Sequence, residues 1–300
     1  MEDPAQGRQA VTRKEMAKSA WRFKFPADLP ALAAAFLLVV GFTFSDDVVE
    51  FLLDLSGNSA LAASDRQWLV LTADLALVLL TAVLKWRISG NWRLNRCWVL
   101  GALLVIASHL ALILTAERRA GLGDLPSIGI NLAGSAVFVS AMIMLMVATL
   151  SDGPASRSWI IPLAVGTFAV QIASALWYPV INVDDGCAGE VSSAFFADMN
   201  NINAVLLLTM TIELNQLRRN SRDGDPGTRV APVFTVLLIC TALALAFSVL
   251  VKADSAPCGL AAVWHEYIAF VVNVQALAIG LATLVWLYLV NAGEVTSEET

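Results

Sequence analysis

Residues 231–251 read APVFTVLLICTALALAFSVLV, and this stretch contains no charged side chain. A segment of about 20 mainly apolar residues can cross a bilayer, because about 30 Å of hydrocarbon is spanned at about 1.5 Å per residue. Backbone N–H and C=O groups in lipid must form their hydrogen bonds within the segment, so such a segment is a helix. We therefore interpret residues 231–251 as a transmembrane helix.

Other stretches have the same character, and the composition of the whole chain agrees with them. Of 300 residues, 58% are hydrophobic and only 15% are charged, which leaves too few polar side chains to coat a soluble protein of this size. The sequence predicts an all-α integral membrane protein, a bundle of about eight transmembrane helices. The predicted spans are 30–44, 67–84, 97–115, 128–150, 158–180, 194–213, 231–251 and 266–290.

The basic residues predict the orientation of this bundle. Of 19 Lys and Arg residues, only four (Arg66, Arg118, Arg119 and Lys252) lie in the loops of one side. Cytoplasmic loops carry the excess of Lys and Arg, so both termini are predicted to be cytoplasmic. Residues 1–29 then form a basic N-terminal segment, 30–290 the bundle, and 291–300 an acidic tail. The expected location is a bacterial cytoplasmic (inner) membrane, among its lipids; a net charge of −6 argues against nucleic acid as a partner.

The eight spans form four predicted hairpins, and equal spacings indicate that some hairpins are repeats. Pro162 and Pro232 are 70 positions apart (232 minus 162), and Asn203 and Asn273 repeat this interval. Copies displaced by two helices keep the same orientation in the membrane, so these would be parallel hairpin repeats.

The cysteines and histidines limit the chemistry. Cys187 and Cys258 lie in the outer loops of the two repeated hairpins, beside Gly, Asp or Pro, and the outer side is oxidising. They are predicted to form a disulfide, whereas Cys97 and Cys240 are expected to be reduced and buried. The two histidines and four cysteines form no ligand pattern of the kind that holds zinc, so no metal site is predicted, and the sequence identifies no cofactor.

Polar side chains inside the predicted spans concentrate in the outer halves of the even-numbered helices. A charged side chain at the centre of a span costs about 2.5–3.5 kcal/mol on insertion scales, so it normally faces the bundle interior and has a partner. We expect an outward-facing polar pocket that binds a small polar molecule or a cation. Its candidate ligand-binding residues are Asp74, Asn131, Asp198, Asn201, Glu266 and Asn273.

Residues 45–66, between the first two spans, are predicted to form an acidic amphipathic helix on the outer surface. Its acidic face carries Asp46, Asp47, Glu50 and Asp54, and its apolar face carries Val48, Val49, Leu52 and Leu55. The helix could be a solvated cap over the bundle or a vestibule that attracts cations.

Three classes of function fit these features. The first is a transporter or binding protein that uses the polar pocket. The second is a non-catalytic accessory or assembly subunit whose polar residues bind neighbouring helices, those of another membrane protein or of a homo-oligomer. The third is an intramembrane enzyme that modifies lipid, with an acid and a base drawn from Asp74, Asp198, His265 and Glu266. The polar residues are amides more often than acids, which favours binding over catalysis.

Overall fold

A computed structural model of the chain describes residues 25–57, 63–90, 95–119, 124–150, 159–176, 186–220, 230–252 and 258–298. The basic N-terminal segment up to residue 24 lies outside these residues, as do the loops 151–158 and 221–229. The described residues form helices and no β-strand. The α-helices are α1 Phe25–Phe36, α2 Ser45–Leu55, α3 Ala63–Ser89, α4 Arg96–Arg119, α5 Asp124–Leu150, α6 Ile160–Leu176, α7 Ser193–Asn220, α8 Val230–Lys252 and α9 Leu260–Glu298; a π-helical segment, π1 Leu37–Gly41, continues α1.

Six of the described helices are long and apolar enough to cross a membrane, and a bent pair would bring the number to seven. The protein is therefore an all-α integral membrane protein with several spans. The predicted spans are helical where they are described, except at Phe42–Phe44, where the chain turns, and two of the spans are short. The apolar part of α6 covers Ile160–Ala173, and the segment Leu29–Gly41 bends by 70° before Ser45–Leu55. The number of eight spans stays a prediction.

Helix α9 is the central element of the second half of the chain. It packs along α6, α7 and α8, and α7 packs on α8. In the first half, α4 packs on α5, and α1 contacts α3, α5 and α8. Consecutive helices therefore pack on each other at α3–α4, α4–α5, α5–α6, α7–α8 and α8–α9, whereas α6 and α7 are joined mainly through α9. Helix α9 also runs to Glu298, beyond the predicted span 266–290.

Small residues allow the central helices to approach closely. A Cβ atom built on Gly166 of α6 would lie 2.6 Å from the Cα atom of Ile279 in α9. A Cβ atom on Gly280 would overlap the side chain of Leu206 in α7. Apolar side chains gain nothing by leaving lipid for another apolar surface, so close van der Waals packing at such glycines is what holds membrane helices together.

Candidate functional site: a buried aspartate–histidine pair

Asp74 of α3 forms an ion-pair contact with His109 of α4. The Nε2 atom of His109 lies 2.8 Å from Oδ2 of Asp74, and the two side chains are 16% and 1% exposed. The helices are antiparallel neighbours in the chain: Asp74 is 11 residues after the start of α3, and His109 is 10 residues before the end of α4. At 1.5 Å per residue both lie roughly 15 Å from the same end of the pair, so they meet at one depth.

The surroundings of this pair are apolar. Val78 and Val105, one helical turn from Asp74 and His109 respectively, are buried. The ring of Phe138 in α5 lies 5.3 Å from the imidazole of His109, and Phe42 packs edge-on against Phe138. Neither carboxylate oxygen of Asp74 accepts a well-aligned hydrogen bond from the described residues. Because a buried carboxylate without aligned hydrogen bonds is costly, Asp74 is a candidate for function and not only for stability.

The first helix is broken beside α3 and α5, both of which π1 contacts. The chain turns at Phe42–Phe44, between π1 and α2, and π-helical turns inside helices are frequent at functional sites. Asp46, in the first turn of α2, is exposed and lies close enough to Asp74 and His109 to interact with them electrostatically. Broken helices of this kind form ion and substrate sites in many transporters.

Helix α2 is held over this region by three contacts. Asp47 accepts a hydrogen bond of 2.9 Å from the hydroxyl of Tyr267 in α9. Phe51 packs edge-on against Trp264, also in α9, at 5.5 Å between ring centroids. The Nη1 atom of Arg66 donates to Glu50 over 3.0 Å at the exposed side. Of the amphipathic helix predicted over 45–66, the structure contains Ser45–Leu55, while residues 63–66 already belong to α3. Val49 is buried, but Val48, Leu52 and Leu55 are exposed.

Asn273 lies in a second polar group, formed by α7, α8 and α9. Its Oδ1 atom accepts a hydrogen bond of 2.9 Å from the Nδ2 atom of Asn203, and its own Nδ2 donates to the carbonyls of Ala242 and Ala269. Asn203 and Asn273 are both fully buried. These bonds join three helices, which is the usual role of an asparagine inside a membrane.

Glu266 holds the loop that precedes α7. Its Oε2 and Oε1 atoms accept hydrogen bonds from the backbone N–H groups of Gly189 (2.7 Å) and Val191 (3.1 Å). Gly189 has φ = 131°, a conformation that residues with a Cβ atom rarely adopt. Both carboxylate oxygens are therefore used within the chain.

The remaining candidate residues lie elsewhere. Asp198 and Asn201 occupy exposed positions on α7 and form no hydrogen bond with the described part of the chain. The side chain of Asn131 lies outside the described residues. No described contact joins Asp74 to Asp198, Asn201 or Asn273, so a pocket common to the six residues stays a prediction.

The structure brings Cys187 and Cys258 to disulfide distance, with 2.03 Å between the sulfur atoms, as the sequence analysis predicts. The N–H group of Gly259 donates to the carbonyl of Gly186, so the two cysteines sit in one small antiparallel bridge. The prediction that Cys97 and Cys240 are buried is wrong: both are exposed, Cys97 in the first turn of α4 and Cys240 within α8.

Ser248 and His265 resemble a nucleophile and its base, with 2.7 Å between Oγ and Nε2. However, the hydroxyl of Ser248 donates to the carbonyl of Leu245 in its own helix. A hydroxyl has a single proton, so whenever Ser248 donates to Leu245 it can only accept from His265, and that arrangement does not activate a serine nucleophile. This geometry does not favour the enzyme alternative.

Sequence reasoning missed one buried charge. The predicted span 67–84 leaves Lys85 in a cytoplasmic loop. In the structure Lys85 lies within α3 and is 3% exposed, and its Nζ atom donates to the carbonyl of Ala148 over 2.5 Å. The spacing of Asp74, Thr81 and Lys85, at positions i, i+7 and i+11, puts all three on one helical face and could have indicated this.

No protein-family model, curated protein or solved structure matches the chain.

Proposed function

We propose that the protein is a transport protein of the bacterial inner membrane, with eight spans and both termini in the cytoplasm, that takes up a small cation from the outer side at Asp74. The observation that carries this proposal is the contact between Asp74 and His109, about 15 Å inside the ends of their helices. Ionisable residues at this depth are usually part of an ion or proton pathway. The adjacent helix break and the exposed carboxylate of Asp46 support entry from the outer side.

Among small cations, a proton fits the site best. A divalent metal ion generally needs three or more protein ligands, and the described residues contain no group of three His, Cys, Asp or Glu side chains that could hold one. An organic cation needs a cavity, whereas Val78, Val105 and Phe42 pack tightly around the pair. A proton needs neither, because it can be shared by the carboxylate and the imidazole. Histidine is also the side chain that usually gains or loses a proton near neutral pH.

Nitrogen NMR of the histidine rings in lipid nanodiscs tests the contact on which the proposal rests. The chain contains only two histidines, so His265→Gln leaves the signal of His109 alone. We expect Asp74→Asn to shift the Nε2 signal of this ring, because the substitution removes the carboxylate that lies 2.8 Å from this atom. An Nε2 signal that the substitution leaves unchanged would refute the contact and the site proposed on it.

Proton movement can be measured in liposomes that contain a pH-sensitive dye. Acidifying the outside should acidify the interior faster with the wild-type protein than with empty liposomes, and Asp74→Asn should abolish the difference. Asp65→Asn is the matched control, because Asp65 is an exposed carboxylate at the start of the same helix. Wild-type liposomes that acidify no faster than empty ones would refute proton movement.

The accessory-subunit alternative is favoured by a different observation. Asp198 and Asn201 are exposed on α7 within a span, where lipid offers no hydrogen-bond partner. A surface of this kind fits contact with another helix. If that helix belongs to a different protein, this chain is an accessory subunit. If it belongs to a second copy of this chain, the protein self-associates.

A further inference from the structure

The outward face of α7 is polar at a depth where lipid would surround it. Asp198 and Asn201 lie five and eight residues after Ser193, the first residue of the span Ser193–Asn215. At 1.5 Å per residue these positions are roughly 8 Å and 12 Å inside the span. The opposite face of the same helix is buried, with Phe196, Asn203 and Met210 packed in the bundle. Asp198 and Asn201 therefore point away from their own chain.

The exposed residues of this face follow a seven-residue repeat. Alternating steps of three and four residues place them on one line along the helix, the spacing that lets two helices pack with interlocking side chains. We call this line the α7 seam. It consists of Ala194, Asp198, Asn201, Val205, Leu208, Ile212 and Asn215, which are all exposed.

Lipid does not satisfy the polar part of the seam. The amide of Asn201 has two N–H donors and one carbonyl acceptor, and none of them has a partner among the described residues. Acyl chains offer neither donors nor acceptors, so polar side chains in a span normally bond to another helix. The apolar residues Val205 and Leu208, each more than 60% exposed, could face lipid or a helix equally well.

A second copy of the chain has the complementary chemistry. Two copies inserted in the same orientation can meet about a two-fold axis along the membrane normal, which brings equal depths together. The amide of Asn201 can then donate to the carboxylate of the partner's Asp198, one helical turn away, and the reciprocal bond forms at the same time. A hydrogen bond from an amide to a charged acceptor is stronger than one between neutral groups. Val205, Leu208 and Ile212 would pack below these bonds.

We propose that the protein forms a homodimer through the α7 seam, with Asp198 and Asn201 as its polar contacts and Val205, Leu208 and Ile212 as its apolar ones. This surface is separate from the site at Asp74, so either proposal can fail without the other. It also gives Asp198 and Asn201 a role that requires no ligand pocket.

Cysteine crosslinking in native membranes tests the geometry. Cys97 and Cys240 are both exposed and would first be changed to Ala. Leu208→Cys places a thiol on the seam, and Ile202→Cys places one at another exposed position of α7, turned by about 120° around the helix axis. We expect oxidation to give a product of twice the chain mass for Leu208→Cys and little for Ile202→Cys. Equal crosslinking at the two positions would overturn the proposal.

The contribution of the polar contacts is tested by counting the chains in each particle while the protein is diluted with increasing amounts of lipid. Asn201→Leu should weaken self-association by about 3- to 20-fold, the range measured for polar contacts between membrane helices. Asn200→Leu, a change of the same residue type at a half-buried position off the seam, should leave association unchanged. Both variants should keep the wild-type melting temperature as monomers. A wild-type chain that is monomeric at every dilution refutes the homodimer, and so does a crosslinked product containing a different protein.

Discussion

At the scale of the residue, identical side chains have different surroundings. Asn273 is buried and forms three hydrogen bonds, whereas Asn201 is exposed and forms none within the described chain. Asp74 is buried beside an imidazole, whereas Asp65, on the same helix, is exposed. The environment of each group decides whether it stabilises the bundle, binds an ion or contacts another molecule.

Glu266 provides a test of structure at this scale. Glu266→Gln replaces one acceptor oxygen by an NH2 group, which cannot accept a hydrogen bond from Gly189 or Val191. We expect the free energy of unfolding to fall by about 1–3 kcal/mol, because one buried N–H group loses its partner. Thermal unfolding in detergent would measure the change.

Glu50→Gln is the control for this variant. Glu50 pairs with Arg66 at an exposed site, where an ion pair contributes only about 0–1 kcal/mol. If Glu266→Gln and Glu50→Gln lower the free energy of unfolding equally, the hydrogen bonds from Gly189 and Val191 to Glu266 contribute no more than a surface ion pair.

At the scale of the element, helix packing depends on where a glycine meets another backbone. Gly166 of α6 faces the backbone of Ile279 in α9, and Gly134 of α5 has only a side-chain atom of Leu112 nearby, at 3.8 Å. The two glycines are indistinguishable by type and by their apolar neighbours in sequence. Only the first lies at a close helix crossing.

We expect Gly166→Ala to destabilise the protein by about 1–3 kcal/mol, because the new methyl group forces α6 and α9 apart. Gly134→Ala should be tolerated, since its methyl group has room and alanine favours a helix more than glycine does. Melting temperatures of the two variants in the same detergent would compare them. A Gly166→Ala variant as stable as Gly134→Ala would show that the α6–α9 crossing is looser than described.

At the scale of the whole molecule, the proposed orientation governs the function, since Asp74 lies nearer the outer side than the cytoplasm only if both termini are cytoplasmic. Reporter fusions after residues 90, 155 and 222 should indicate the cytoplasm, and fusions after 58, 122, 188 and 256 the outer side. The physical reason is the concentration of Lys and Arg on one side of the membrane. A fusion after residue 58 that reports cytoplasm would make α1 and α2 a re-entrant segment and leave fewer than eight spans.

The sequence by itself determined the class of the protein and the extent of its most apolar helix, because apolar length is a local property that can be read along the chain. Residues 231–251 and the helix Val230–Lys252 agree to within a residue at each end. The spacing and loop context of Cys187 and Cys258 were likewise sufficient to predict their pairing.

Only the tertiary structure decided which polar groups meet. A membrane helix such as α8 is apolar on nearly every side, so its sequence does not reveal how it is rotated about its axis or which helix lies beside it. Asp74 and Asn201 both appear in the sequence as polar residues within a predicted span. Helix α3 is oriented so that Asp74 faces His109, because α3 packs on α4. Helix α7 is oriented so that Asn201 faces out of the bundle, because α7 packs on α9.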